Sequence, residues 1–361
     1  MEIQKNVLLA PYTTFKIGGP ARYFCSIKNA EEAKEAFEFA EKNHLNIFIL
    51  GGGSNVLISD KGFDGLVIKI ENKGIEITRE DDASVALKIA SGENWDKVVK
   101  FAVEKQWWGI ENLSHIPGSV GAIAVQNVGA YGQEASNVIE SVTVFERETR
   151  QILELNNQEC GFAYRKSIFN SAQKGKYIIF YITLKLSKIA NPILSYRDLQ
   201  TRFTGKNPAI DEIRQAIIAI RDKKYPFPTE NKNGNAGSFF KNPSLTINEY
   251  QSVLINITQS INAEAVAKIE HRKFMDNDKI KIPAALLIEL CGLKELAEGG
   301  ASINHNQPLV IINASGSALA SDVLNLAKKI IEEVYKKTGI KLSIEPELVG
   351  FSENELNTVK L

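Results

Sequence analysis

The amino-acid sequence predicts an α+β fold. Residues 1–70 alternate strand-like and helix-like segments, the middle of the chain is richer in strands, and the last part places long helices between short apolar runs. Two loops unusually rich in glycine interrupt this pattern, at residues 51–55 and 116–132. These three observations indicate a mixed fold with a ligand-binding role for the glycine loops.

The first half of the chain contains a strong helix signal. A helix is predicted over residues 30–44, because Asn29 can cap its N-terminus and Glu32 can return the capping contact. A second helix is predicted over 95–105. Runs of apolar and β-branched residues predict six strands, at 46–50, 66–70, 84–90, 139–145, 151–155 and 177–186.

The second half contains more helix. Residues 211–223 carry an apolar stripe of isoleucines and predict a helix, and the polar loop 229–235 after it is a plausible domain junction. Beyond it we predict helices at 283–294 and 317–337, the latter ended by Gly339, and strands at 309–313 and 342–348.

Composition and charge narrow the class of protein. The chain has 361 residues, 44% hydrophobic and 24% charged, which is typical of a globular protein of two or three domains. Lysine plus arginine equals aspartate plus glutamate, at 43 each, whereas nucleic-acid and membrane-surface proteins carry a basic excess. The strongest apolar run, 177–184, has only the length of a strand. We expect no nucleic-acid partner and no membrane insertion.

The cysteines and histidines indicate neither disulfides nor a metal site. Cys25, Cys160 and Cys291 are widely spaced and form no C-x-x-C pair, so we expect reduced core thiols in a cytoplasmic protein. No two histidines have metal-ligand spacing, and we expect no metal. We expect the protein to be a monomer.

The two glycine loops predict a phosphate-binding site. Glycine costs a helix about 1 kcal/mol relative to alanine, but it lets backbone amides approach an anion closely. Two such loops indicate a ligand with a pyrophosphate, such as a dinucleotide, although a plain turn is the alternative for 51–55. The candidate residues are Gly51, Gly52, Gly53, Ser54, Asn55, Pro117, Gly118, Ser119, Gly121 and Ala122.

Several polar residues stand in settings that suit catalysis or binding. Ser238 lies between a glycine turn and two phenylalanines, where a turn residue is the alternative interpretation. Arg165 follows Tyr164 and could grip a carboxylate with its forked donors, or belong to a solvated loop. Tyr196 lies in a polar segment that could be a lid or merely a turn. Glu347 follows Glu345 at a spacing that would place both carboxylates on one face of a strand, and the default expectation is that both side chains are exposed to solvent.

Taken together, these segments resemble the UDP-N-acetylenolpyruvoylglucosamine reductases, flavoenzymes of bacterial cell-wall synthesis. The resemblance runs nearly end to end, over residues 12–21, 51–57, 116–132, 164–169, 234–243 and 345–347. Tyr196 together with Tyr164 and Arg165 is similar to the subclass that closes a tyrosine-bearing loop over the substrate.

The resemblance implies a fold and a domain division. The fold is the FAD-binding fold of the vanillyl-alcohol-oxidase type, made of two α+β subdomains, with a smaller α+β substrate-binding domain. The implied domains are 1–70, which the tail 349–361 could complete, then 71–222, and 223–348 for substrate. FAD attachment is expected to be non-covalent, since no histidine lies in 51–57.

The resemblance also implies residue roles and a reaction. Both glycine loops would hold FAD, while Ser238 would donate a proton and Arg165 and Glu347 would assist at the substrate carboxylate. NADPH would reduce FAD, which then gives hydride to the enolpyruvyl ether of UDP-N-acetylglucosamine enolpyruvate to form UDP-N-acetylmuramate. The positions that match substrate-contacting residues are Tyr164, Tyr196, Lys224, Asn242 and Gln307.

The residue types suit this chemistry. Negative charge that develops beside the carboxylate needs a preorganised cation and donors, roles that fit Arg165 and, if protonated, Glu347. A carbanion is a strong base, so a well-placed Ser238 hydroxyl suffices as the acid. Two other functions are an oxidase on the same flavin fold that uses oxygen, and a non-catalytic flavin or nucleotide-sugar binding module.

Overall fold

The computed structural model describes residues 1–225, 232–276 and 278–359. Within them the chain forms two compact units. The first contains Met1–Val7, Ala21–Gly53 and Asp64–Asp222, and the second contains Leu8–Pro20, Ser54–Phe63 and Lys223–Leu361. Two short N-terminal segments therefore belong with the C-terminal part of the chain, and each unit is described by itself below.

The first unit contains two large sheets and one short hairpin, Gly129–Ala130 with Gln133–Glu134. A four-stranded sheet runs in the order Gln4–Leu8, Pro20–Ile27, Phe63–Ile70 and Asn46–Leu50, with the last two strands parallel. A five-stranded antiparallel sheet runs in the order Ile152–Asn156, Ile139–Glu146, Tyr177–Ser187, Ser84–Ala90 and Ile75–Glu80. Its helices are Ala30–Lys42, Trp95–Glu104, Val120–Val125, Arg197–Arg202 and Ile210–Lys224, of which the last two residues fall in the second unit.

Each of the two large sheets has its own apolar core. Phe37 of the first helix stacks on Phe145 with ring centroids 5.9 Å apart, in a cluster that also buries Cys25 and Ile68. Around the five-stranded sheet, Trp95 is fully buried and its indole nitrogen donates to Leu113 O at 3.0 Å. The first core thus fixes the strand Asn46–Leu50, after which the first glycine loop begins, and the second core fixes the helix Trp95–Glu104, which precedes the second loop.

The second unit is built from short strands and longer helices. Its four-stranded sheet has the order Gly234–Asn235, Ile311–Asn313, Ala301–Ile303 and Ala297–Glu298, and a three-stranded sheet has the order Ser244–Leu245, Lys279–Lys281 and Phe274–Asp276. Val56–Ile58 pairs in parallel with Glu347–Val349. Its helices are Ile247–Ser260, Ala263–Arg272, Ala284–Leu290, Ala320–Thr338 and Glu353–Asn357.

Several sequence-based boundaries are corrected by the structure. The strand predicted over 342–348 is confined to Glu347–Val349, because Pro346 has no amide hydrogen and Ile344 makes only an isolated bridge to Phe240. The helix predicted over 283–294 ends at Leu290, ahead of Gly292 in the left-handed conformation. The helix predicted from residue 30 ends at Lys42.

Other expectations are confirmed or refined. Asn29 caps its helix, but the Glu32 carboxylate accepts from Lys28 N at 2.6 Å and not from Asn29. Gly339 ends the long C-terminal helix with φ 75°. All three cysteines are free and buried, as expected, and burial raises the pKa of Cys25 and Cys160 to about 12. Residues 229–231 of the predicted junction loop lie outside the described residues.

Candidate functional site

The two glycine loops meet in the first unit. A Cβ added at Gly52 would lie 2.5 Å from Gly118 Cα and 2.7 Å from Ser119 N, and one at Gly51 would lie 2.7 Å from Ser119 Oγ. Real Cβ atoms do not approach backbone this closely. Glycine is therefore required at Gly52 for the two loops to touch, and the proximity agrees with a single ligand for both.

Three backbone amides lie at this contact between the loops, those of Gly52, Gly118 and Ser119. Within the described residues, the amides of Gly52, Gly118 and Ser119 donate no backbone or side-chain hydrogen bond. Gly118 has φ 124°, which a residue with a side chain rarely adopts. Amides without a partner among the described residues, in a stretch rich in glycine, are typical of the nests that bind a phosphate.

Gly121 is glycine for a different reason from the one the sequence suggested. Its amide already donates to Ser91 O at 2.9 Å, and the neighbouring Ala122 amide donates to Ser119 O at 3.1 Å. A Cβ at Gly121 would lie 2.8 Å from Ser91 Cβ. Gly121 thus allows close packing of the helix Val120–Val125, and its amide is already used within the protein.

A lysine that sequence reasoning missed supports the first glycine loop. Lys69 Nζ donates to Gly51 O at 3.2 Å, and burial lowers the pKa of this amine. Lys69 is the one charged residue in the otherwise apolar segment 66–70 of its strand. Because lysine is rarely found in a buried strand without a specific partner, its presence there could have marked Lys69 as a functional candidate from the sequence.

The second glycine loop is anchored by an ionic cluster. Arg214 grips Asp96 with two hydrogen bonds, at 2.7 and 2.9 Å, and the Asp96 carboxylate also accepts from His115 N. Burial raises the pKa of Asp96, but the bonds from Arg214 and His115 outweigh this effect and hold it below its usual value. His115 also contacts Asp222 at 3.0 Å and accepts from Arg221 through its carbonyl. These bonds give His115 a structural role before Pro117.

Ser238 lies in a loop of the second unit whose backbone is fixed on both sides. Before it, the Asn235 side chain accepts from Gly237 N at 3.0 Å, and Gly237 has φ 72°. After it, Phe239 N donates to Leu309 O at 2.7 Å, and Phe239 is fully buried. The Ser238 side chain is half-buried, and its hydroxyl makes no hydrogen bond to any described residue. The loop therefore holds a hydroxyl ready for an external partner.

The Glu345–Glu347 segment runs beside this loop. Glu345 N donates to Phe239 O at 2.9 Å, and Glu347 N donates to Asn55 O at 2.9 Å. The Asn55 side chain reaches Glu345 O at 3.5 Å. Glu345 and Glu347 are both half-buried, so the default expectation of exposure is wrong. The second unit thus brings together Ser238, Asn55 and Glu347 through backbone contacts.

Arg165 occupies a tight turn of the first unit. Ala163 and Lys166 exchange both backbone hydrogen bonds at 3.0 Å, which leaves Tyr164 and Arg165 as the turn residues. Arg165 has φ 53°, uncommon for a non-glycine residue and often found at functional sites. Its guanidinium donates to Gly129 O at 2.9 Å and lies 5.2 Å from the Tyr164 ring centroid.

Tyr196 precedes a short helix and packs on a neighbouring hairpin. Its ring lies 5.1 Å from that of Tyr131 at 77°, and its side chain remains 44% exposed. Tyr131 and Gly132 form the turn of the hairpin Gly129–Ala130 with Gln133–Glu134, and both have positive φ. This hairpin contacts Arg165 at Gly129 and Tyr196 at Tyr131, so it connects two of the predicted site residues.

The remaining predicted substrate residues lie in the second unit. Lys224 O accepts from the Asn304 side chain at 2.7 Å, and Gln307 N donates to Asn304 O at 3.1 Å, so Asn304 holds both. Asn242 is partly occupied by a structural task, because its Oδ1 accepts from Ala284 N at 2.9 Å, at the start of a helix. Ser54 begins a segment of the same unit.

The described part of the chain shows no other site type. No three histidine, cysteine, aspartate or glutamate side chains among the described residues could together hold a metal ion. None of the described helices is both long and apolar enough to cross a bilayer.

Two family models match the chain. The model described as FAD binding domain matches residues 21–155, and the model described as UDP-N-acetylenolpyruvoylglucosamine reductase, C-terminal domain, matches residues 228–349. The first match includes both glycine loops, and the second includes Ser238 and Glu347.

Curated relatives resemble the chain over nearly its whole length. A UDP-N-acetylenolpyruvoylglucosamine reductase of Flavobacterium johnsoniae is 36% identical over 97% of this chain and 100% of its own. The reductase of the same name from Amoebophilus asiaticus is 38% identical over 96% and 99%. A crystal structure of UDP-N-acetylenolpyruvylglucosamine reductase from Thermus caldophilus superposes with a TM-score of 0.66, at 24% identity, over 97% of this chain and 99% of that one.

Proposed function

Because the chain belongs to the UDP-N-acetylenolpyruvoylglucosamine reductase family, we propose that it reduces UDP-N-acetylglucosamine enolpyruvate to UDP-N-acetylmuramate, a step of peptidoglycan synthesis. The observation that carries this proposal is identity of 36% along 97% of the chain. It is an oxidoreductase activity, with NADPH as the proposed reductant. A cytoplasmic location is part of the proposal and rests on the three free, buried cysteines.

FAD is the cofactor of this family, and the residues of the glycine loops fit it. Three features support a pyrophosphate site there. The amides of Gly52, Gly118 and Ser119 donate to none of the described residues, Gly52 has no room for a Cβ, and the Lys69 amine donates to Gly51 O. When bound, FAD supplies the hydride that the substrate receives. Non-covalent attachment is proposed.

Ser238 is the proposed proton donor. After a hydride reaches the enolpyruvyl group, the carbon beside the carboxylate carries negative charge and must receive a proton. A hydroxyl that is half-buried, lacks a partner among the described residues and is held between two fixed backbone positions is suited to that task. The fixed loop matters because the proton must arrive on one face of the carbon.

Arg165 and Glu347 are proposed to act at the substrate carboxylate. The guanidinium is permanently charged and offers five donors in a planar fork, and its contacts to Gly129 O and Tyr164 orient that fork before substrate arrives. Such preorganised positive charge stabilises the enolate-like transition state more than it stabilises the bound, unreacted substrate. Glu347, whose backbone is tied to Asn55, assists there.

Tyr164, Tyr196, Lys224, Asn242 and Gln307 are proposed to contact the substrate. Tyr196 is the best exposed aromatic among them, at 44%, and a tyrosine supplies a large flat surface together with a hydroxyl. Because the Asn242 oxygen already accepts from Ala284 N, its amide nitrogen is the group proposed to contact the substrate.

A single-turnover experiment tests the proposed function. Purified protein is first checked for the visible absorption of oxidised flavin, then reduced by NADPH without oxygen and mixed with the enolpyruvyl sugar nucleotide. The flavin should reoxidise at once, and the product should gain two hydrogen atoms by mass spectrometry. Rapid reoxidation by air combined with no response to the sugar nucleotide would instead identify an oxidase.

A further inference from the structure

Asn112 is a fully buried amide that joins two separate segments of the first unit. Its side-chain nitrogen donates to Tyr131 O at 2.7 Å and to Ile193 O at 2.8 Å. Its exposed fraction is 0%, and its oxygen Oδ1 has no partner among the described residues. Burying an amide is costly unless its hydrogen bonds are made. Both side-chain hydrogen bonds of Asn112 thus go to these two carbonyls.

Both segments lead to Tyr196. The Tyr131 ring packs against that of Tyr196, at 5.1 Å, and Ile193 lies three residues ahead of it in the chain. Between them, a Cβ at Gly132 would come within 3.2 Å of Ser195 Oγ, which shows how closely the segment before Tyr196 lies on the hairpin turn. We call residues 193–196, which end in Tyr196, the tyrosine loop. One of the two carbonyls belongs to Tyr131, on which the Tyr196 ring packs, and the other belongs to Ile193, the first residue of the loop.

Asn112 is itself held rigidly from the opposite side. Its backbone amide donates to Gln133 Oε1 at 2.9 Å, and Gln133 Nε2 donates to the Glu111 carboxylate at 2.7 Å. The other Glu111 oxygen accepts from Gly109 N at 2.7 Å. Glu111 is fully buried, and burial raises the pKa of its carboxyl. These hydrogen bonds fix the backbone of Asn112, and thereby the position from which its side chain donates to Tyr131 O and Ile193 O.

The Tyr131 turn needs such support. Tyr131 has φ 49°, a conformation that is strained for a bulky residue and persists only when its surroundings impose it. A hydrogen bond to the Tyr131 carbonyl is one direct way to impose it. Without that bond the turn can relax, and the surface on which Tyr196 packs is lost.

We propose that Asn112 is a positioning residue for substrate binding, which holds the carbonyls of Tyr131 and Ile193 together and thereby presents Tyr196 to the substrate. The inference rests on the proposed function, in which Tyr196 contacts the UDP-sugar. Asn112 itself acts only through the tyrosine loop.

The first test is the kinetics of Asn112→Ala. A net hydrogen bond corresponds to roughly a two- to tenfold change in an equilibrium constant. Loss of both bonds should raise the KM for the enolpyruvyl sugar nucleotide by at least about fivefold. The kcat should change much less, because Tyr196 contributes to ground-state binding. Asn112→Leu, which keeps a similar volume but cannot donate a hydrogen bond, should behave in the same way.

Asn72 offers a matched control. It is 3% exposed and also joins two segments, donating to Phe180 O at 2.6 Å and accepting from Gly92 N at 3.0 Å. Asn72→Ala should lower the melting temperature about as much as Asn112→Ala but leave the substrate KM unchanged. Equal effects of the two variants on KM would overturn the proposal, since a general loss of stability would then explain both.

Two further measurements separate the inference from the proposed function. In a Tyr196→Ala background, Asn112→Ala should raise KM no further; an additive increase would contradict action through Tyr196. In the substrate-free protein, trypsin should cleave after the exposed Arg197 faster in both Asn112 variants than in Asn72→Ala. Unchanged cleavage would refute the positioning role even if the wild-type enzyme proved to use another substrate.

Discussion

Replacing Gly52 by alanine tests the assignment of the glycine loops to FAD. The added Cβ would lie 2.5 Å from Gly118 Cα, 2.7 Å from Ser119 N and 2.8 Å from Gly118 C. Ordinary van der Waals contacts begin near 3.4 Å. The two loops must therefore move apart by roughly 1 Å to relieve the overlap between the new Cβ and the backbone of Gly118 and Ser119. Such overpacking costs about 1–3 kcal/mol of stability.

The separation would also move the amides of Gly118 and Ser119. A hydrogen bond to a charged group is worth about 1.5–3 kcal/mol, so misplacing these two donors should weaken FAD binding by at least about 3 kcal/mol, or roughly 150-fold. The assay is titration of apoprotein with FAD, followed by the quenching of flavin fluorescence, together with the flavin content of the purified variant.

A steric control distinguishes cofactor binding from simple destabilisation. A Cβ at Gly300 would lie 2.4 Å from Ser315 Oγ and 2.7 Å from Ala318 Cα, an overlap of similar severity in the second unit. Gly300→Ala should lower stability yet keep wild-type FAD affinity once folded. If Gly52→Ala binds FAD as tightly as the wild-type protein does, the loops do not hold the cofactor and the reasoning is refuted.

Two further predictions concern the tyrosine loop and the anchor of the second glycine loop. Tyr196→Ala should raise the KM for the sugar nucleotide far more than it lowers kcat, since its exposed ring serves binding; a loss confined to kcat would place Tyr196 in the chemical step. Because the pKa of Asp96 is lowered in the folded protein, its contribution to stability is complete above the usual carboxyl pKa of about 3.9 and is lost as pH falls through the lower folded value. In urea unfolding, Asp96→Asn should therefore destabilise by about 1–3 kcal/mol at pH 7 and by progressively less as the pH falls below about 3.9; a loss that does not change with pH would show that Asp96 acts without its charge.

The α+β flavin-binding fold could be predicted because its signals are local. Helix caps and apolar periodicity located most helices of the first unit, and Gly339 ends its helix as glycine at that position predicts. The FAD binding domain match and the structural similarity to the Thermus caldophilus enzyme confirm the fold class. The prediction of one strand over 342–348 was wrong, because it followed the apolar pattern of the segment and gave too little weight to Pro346, which has no amide hydrogen to donate within a sheet.

Long-range contacts could not be predicted in the same way. Thr14 and Asn235 are joined by two hydrogen bonds across 221 residues, which helps to place the segment Leu8–Pro20 in the second unit. Gly121 was expected to face a ligand, but its amide goes to Ser91. Asn112 had no sequence signal at all, since one asparagine in a loop fits many roles. The three-domain division and the individual residue roles stay predictions.

The proton-donor role of Ser238 is the central claim, and its two half-reactions can be measured separately. Reduction of the bound flavin by NADPH requires no proton from Ser238, whereas reduction of the enolpyruvyl group does. Ser238→Ala should leave the loop intact, because Asn235, Gly237 and Phe239 fix its backbone. Ser244→Ala, at an exposed serine of the same unit, serves as the control.

The decisive measurement is anaerobic stopped-flow absorbance of the flavin in the Ser238→Ala variant. Bleaching by NADPH should proceed at close to the wild-type rate, while reoxidation by the enolpyruvyl sugar nucleotide should slow by at least about 100-fold, the low end for a positioned acid. Equal slowing of both half-reactions would make Ser238 structural. Reoxidation at the wild-type rate would show that water or another residue supplies the proton, which would contradict the proposed mechanism.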